Sequence, residues 1–204
     1  MSVQGAEMIR QPGVALGDDA REQARRVILA LLASAPLHKI GMRDAAREAG
    51  MGLATLYKYF GGKEALVHNV VAPEASALVD LVEQGSRHQI GVKSRFQAVL
   101  EAHFRFVRDH GDGARALWLN LPSSLWNDEA DGWRAKRRDI LTHVLKNGVH
   151  DGSVRDDIWP NDLAGSVLGA VDQHVENALR VGDSPDPRST GTQLFQTLWP
   201  MVCA

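Results

Sequence analysis

The chain has 204 residues, 44% of them hydrophobic and 24% charged, with a single cysteine and a formal charge of −2. That apolar share can bury a core, which excludes general disorder, and the length allows two small units or one unit with an appendage. No run approaches the roughly 18 consecutive apolar residues of a membrane span, the N-terminus lacks a basic-then-apolar secretory leader, and lone Cys203 can make neither an internal disulfide nor a cysteine metal cluster.

A soluble, cytoplasmic protein with no membrane partner is therefore expected. The near-neutral charge hides an asymmetry. Residues 1–63 hold 9 Lys+Arg against 6 Asp+Glu, net +3, and residues 64–204 hold 14 against 19, net −5. A basic end on an acidic body orients a protein toward a polyanion.

In chain order, residues 1–17 carry Pro12, Gly13 and Gly17 without a periodic apolar face and read as a disordered arm. From Asp18-Asp19, an acidic pair suited to a helix N-terminus, Ala24, Val27, Ile28, Leu31 and Leu32 recur at helical spacing to Ser34, and Pro36 ends that helix. A second helix is expected over about 42–49 and a third over 53–60, with Gly50 turning the chain between them. A fourth starts at Lys63, where Pro73 predicts a kink or a fresh first turn. Further helical segments follow at 94–110, 112–121, 127–147, 160–181 and 189–203. No segment shows the period-two alternation of a sheet, so the fold class is all-α with about nine helices.

The short second and third helices around Gly50 make a helix-turn-helix, whose second helix is shaped for a DNA major groove. On the third helix, Leu56 and Phe60 are four apart and form the inward face with Ala46 and the first helix. Leu53, Ala54, Thr55 and Lys58 are left outward, a small and polar surface that fits a groove about 12 Å wide. Tyr57, Tyr59, Lys63 and Arg43 suit phosphate contacts, which fix register rather than sequence.

The run Ala46, Ala49, Gly50, Met51, Leu56, Tyr57, Phe60, Lys63, Glu64 and Leu66 resembles the TetR family of bacterial repressors, closely over residues 24–67 and in layout beyond. Gly41, Gly52 and Gly62 stand where that family prefers Ser or Thr caps, at a cost of a few tenths of a kcal/mol each. The resemblance implies an N-terminal three-helix DNA-binding domain (18–66) and a helical effector-binding and dimerisation domain (67–204). It also implies a homodimer on an inverted-repeat operator in double-stranded DNA, released by a small-molecule effector.

Along 160–181 the apolar residues cover about half the helix circumference, and the last helix is similarly broad. Leu168, Val175, Leu179, Leu194, Leu198 and Trp199 are therefore expected to meet a second copy, burial within one chain being the alternative. Phe96, His103, Trp118, Trp126, Trp133 and His174 are the candidates for an apolar effector pocket. His103, His143 and His174 have no metal-ligand spacing, and no metal or cofactor is expected. Two other functions compete: a small helical enzyme pairing His103 or His174 with Asp172, and a helical scaffold without DNA binding. No nucleophile elbow or P-loop supports the enzyme, and residues two apart on a helix point different ways.

Overall fold

The computed structural model describes residues 17–121, 132–182 and 186–204. The expected N-terminal arm up to residue 16, Trp126 and the expected helical start at 127 lie outside the described residues.

Helix α1 (Asp18–Ser34) begins on the acidic pair and buries Ala24, Ile28, Leu29 and Leu32. A 3-10 turn (Leu37–Lys39) leads to α2 (Met42–Glu48), whose buried Ala45 and Ala46 let its neighbours approach closely. With no side chain on Gly41 to cap α2, the Asp44 carboxylate accepts the Gly41 N–H at 3.0 Å instead. Gly50 sits at φ 61°, in the left-handed region that a side chain would strain, and turns the chain into α3 (Leu53–Phe60). Leu56 and Phe60 anchor α3, burying as the four-residue spacing predicts. Each is worth about 1.5–3 kcal/mol in removed apolar surface.

Helix α4 (Lys63–Arg87) runs unbroken through Pro73. Pro73 removes one backbone hydrogen bond at about 3 kcal/mol, but Val70, Val71, Ala75 and Leu78 around it are all buried and outweigh that cost. By length and composition α4 could cross a membrane. Its apolar side chains are instead spent inside the molecule, from Leu66 to Val82.

Helix α5 (Val92–Asp109) is the centre of the body, with Phe96, Leu100, His103, Phe104 and Phe106 wholly buried. Where one helix is expected over 112–121, the chain makes a short α6 (Gly111–Arg115) followed by a π turn (Ala116–Asn120). Helix α7 (Trp133–Asp151) lies against α8 (Pro160–Val181), and α9 (Pro187–Val202) lies along α5. At the α5–α9 crossing Gly191 leaves no room for a Cβ against Glu101, and Phe96 meets Phe195 and Trp199 edge-on at 6.2 and 5.5 Å. Among the described residues there are nine α-helices and no strand beyond an isolated bridge between Val154 and Cys203.

Candidate DNA interface and effector cluster

The outer surface of α3 is built by exclusion. Because Leu56 and Phe60 take the inward face, Leu53, Ala54, Tyr57 and Lys58 are exposed and Thr55 is half-buried. Tyr57 keeps 49% of its surface in water, and Arg43 on α2 is exposed as well. Tyr59 is half-buried, with the Lys58 ammonium 5.4 Å from its ring centroid. Lys63 is not a free cation: its Nζ donates to the Leu37 carbonyl at 2.8 Å, pinning the start of α4 to the 3-10 turn.

Polar links join this head to the body. Arg25 on α1 donates to Glu74 on α4 at 3.1 Å and to the Val70 carbonyl, while His110 at the end of α5 lies 3.0 Å from the other Glu74 oxygen. Asn120, the last residue of the π turn, donates to the Leu32 and Ala33 carbonyls at 3.0 and 2.7 Å and so satisfies the C-terminal end of α1.

Deeper in the body, Trp118 and Trp133 meet edge-on at 5.4 Å. Arg137 lies against both rings, its guanidinium 4.7 Å from the Trp133 centroid and 5.9 Å from that of Trp118. It is 3% exposed and grips the Asp172 carboxylate with two hydrogen bonds of 2.7 and 2.5 Å. The Trp118 indole N–H donates to the same carboxylate at 2.8 Å. Burial by itself would raise the Asp172 carboxyl, but the Arg137 charge and the hydrogen bonds from Arg137 and Trp118 outweigh it and hold the group below the usual carboxylate range. His103 is wholly buried; desolvation first, and then the nearby Arg137 charge, push its pKa down to about 4.

Phe96, two turns away from His103 on α5, joins the α9 aromatics rather than this cluster. His174, expected inside the apolar stripe, is exposed on α8 and bonds only back to the Ala170 carbonyl at 2.9 Å. His143 is also exposed and lines a separate cleft of about 430 Å³ with Glu83, Arg87, Arg95 and Asp139. The three histidines thus occupy three places. Among the described residues no group of three or more His, Cys, Asp or Glu could hold a metal.

Of the expected dimer contacts, Leu168, Val175, Leu179, Leu194 and Leu198 are between 0 and 6% exposed within one chain, where α8 and α9 pack on α5 and α7, which is the burial within one chain that the sequence left as the alternative. Trp199 is half-buried against Phe96 and Phe195. The outward residues of α8 are small or polar instead, including Ser166, Gly169, Gln173 and Asn177.

Sequence reasoning missed Arg137, Asn120 and the Arg25–Glu74 link, and met Asp172 only as a partner for histidine. One signal was available: Arg137 lies four residues after Trp133 and four before Leu141, in the apolar row of its helix, where a charge needs a buried partner.

Residues 26–70 match the family described as bacterial regulatory proteins, tetR family. The chain is 20% identical over 144 residues to the fatty acid metabolism regulator protein of Bacillus subtilis (strain 168), covering 68% of this chain and 72% of that one. It is 31% identical over 83 residues to the HTH-type transcriptional activator FasR of Mycolicibacterium smegmatis, covering 41% and 38%. Among solved structures, FadR from Bacillus subtilis in complex with stearoyl-CoA superimposes with a TM-score of 0.75 at 16% identity, over 87% of this chain and 97% of that one. The helix-turn-helix lies on the matched residues, so residues 26–70 form a DNA-binding domain of the TetR family, followed by an all-helical body with the fold of the solved FadR structure, and the chain is a DNA-binding transcriptional regulator.

Proposed function

We propose that this regulator is a cytoplasmic, non-enzymatic repressor that binds an inverted-repeat operator as a homodimer and leaves it when a small apolar effector enters the body. Residues 18–66 form the reading domain and 67–204 the effector and dimerisation domain in this reading. The observation that carries it is α3, which shows an exposed face of Leu53, Ala54, Tyr57 and Lys58 while Leu56 and Phe60 hold its other side. Leu53, Ala54 and Thr55 meet base edges, and Tyr57, Lys58, Tyr59 and Arg43 meet phosphates. Lys63 positions these groups through its bond to Leu37. The outward faces of α8 and α9 join two copies, which sets the recognition helices one or more duplex turns apart.

The effector is an acyl-chain compound in this proposal, supported by the relatives named for fatty acid metabolism and for a stearoyl-CoA complex. Trp118 and Asn120 offer the route of response. They are two residues apart on one π turn, the first bonded to Asp172 in the body and the second to the end of α1 in the head. A ligand that moves Trp118 therefore pulls on the reading domain.

Gel shift with DNA upstream of the chain's own gene tests this. The expected result is a sequence-specific complex that Tyr57→Ala with Lys58→Ala abolishes at physiological salt. Each lost phosphate contact lowers the slope of log K against log salt by about 0.9. Binding indifferent to sequence, or a monomer in solution, overturns it.

A further inference from the structure

The cluster around Arg137 has hydrogen-bonding capacity that the protein leaves unused. The Trp133 indole N–H, the Nε–H groups of Arg134 and Arg137, and His103 Nε2 are all buried with no hydrogen-bond partner among the described residues. A buried polar group left unpaired costs free energy that a matching ligand recovers. Such groups therefore state what the ligand must offer.

Their chemistry is not all of one kind. His103 Nδ1 lies 2.8 Å from the Val99 carbonyl, and a carbonyl only accepts, so Nδ1 carries the proton. In the neutral ring Nε2 then holds a lone pair and waits for a donor. Trp133 and the two arginine Nε positions are donors that wait for an acceptor. The charges are unbalanced too. Arg137 and Asp172 cancel, whereas Arg134, stacked 4.9 Å from the Trp133 ring, has no carboxylate within salt-bridge distance among the described residues. Glu176 on α8 is near enough to be felt by Arg134 but is paired with Arg180 at 3.6 Å.

A head that satisfies the open hydrogen bonds brings one acidic hydrogen and one accepting oxygen, and so enters as a neutral acid whose carbonyl oxygen faces the arginine N–H groups. We infer that the cluster of His103, Trp133, Arg134 and Arg137 is the seat for the free carboxyl group of an apolar acid, taken up with one proton. This rests on the effector reading above and narrows it. The carboxyl O–H donates to His103 Nε2, and its second oxygen accepts from the indole and guanidinium N–H groups. An acyl thioester or ester carbonyl offers acceptors only and leaves His103 unmatched.

Isothermal titration of the full-length protein with palmitate, methyl palmitate and palmitoyl-CoA, each in two buffers of different ionisation enthalpy, tests the inference. Palmitate is expected to bind at least about tenfold tighter than the other two, since a site built for a polar hydrogen rejects analogues lacking it. Its binding at neutral pH is expected to take up about one proton. Trp133→Phe keeps a ring and removes only the donor; it should weaken palmitate about tenfold while the circular dichroism spectrum stays native. His103→Phe should abolish proton uptake. Equal affinity for the ester or thioester, no proton uptake, or no palmitate binding at all overturns the carboxyl assignment. Gel shift keeps the two readings apart: release of DNA by palmitoyl-CoA without palmitate binding sinks this inference alone, and palmitate binding that leaves DNA affinity unchanged sinks the effector reading alone.

Discussion

The reading head and the body handle polar side chains in opposite ways. On α3, Tyr57 and Lys58 stand in water at no folding cost, and the helix is held from behind by Leu56 and Phe60. Around Trp118 and Trp133 the polar groups are withdrawn from water: buried Arg137 is held by half-buried Asp172, and His103 is kept uncharged by its surroundings. A surface site can change its side chains almost freely without loss of fold. A buried one links ligand recognition to stability, so its substitutions should be felt throughout the chain.

The sharpest way to break that contrast is Arg137→Met. Leaving half-buried Asp172 without its cation should cost about 3 kcal/mol, the low end for a buried pair, a fall on the order of 10 °C in Tm by calorimetry. Lys58→Ala should leave Tm unchanged in the same experiment, and equal effects would erase the distinction. Acid comes next. The folded pKa of His103 is about 4 against an ordinary 6.5, so the unfolded chain binds the extra proton first. Stability present above pH 6.5 is then lost as pH falls toward 4, by on the order of 3 kcal/mol from this group. Urea melts should show that part of the slope missing in His103→Phe.

Asn120→Ala probes the join between the two regions. Removing its two bonds to α1 should cost about 1 kcal/mol of stability. Operator affinity should also stop responding to ligand while ligand binding in the body persists. An intact response would show that the signal does not pass through the π turn. The smallest effect is expected at Gly52→Ser, which restores a capping hydroxyl to α3 and should add only a few tenths of a kcal/mol, read as a small gain in Tm.

The same contrast explains how much the sequence revealed. The head was legible because its signals are local: the Asp18-Asp19 start, the stop at Pro36, the turn at Gly50 and the four-residue step from Leu56 to Phe60 each lie within one or two turns of the element they define. Helix spacing also located the body's elements, with Pro73 misleading because packing from α5 and α7 overrides a local break. The buried cluster was half visible. Trp118, Trp133 and His103 stood out by residue type, but their partner Arg137 reaches Asp172 across 35 positions of sequence, and no local pattern encodes that pairing. The sequence placed His174 in a pocket and left the five leucine and valine positions on α8 and α9 open between two coverings, for a related reason. An apolar stripe shows that a face is covered and is silent on whether the same chain covers it.

The five-residue π segment at 116–120 carries a mechanical implication. Such a coil holds one residue more than the neighbouring α geometry accommodates, and shedding it downstream rotates every later position by about 100°. That step is discrete, since no half-residue exists to be shed. A latch seated on Asn120 would consequently click between two registers, giving an all-or-none answer at α1 where an elastic linker would give a graded one.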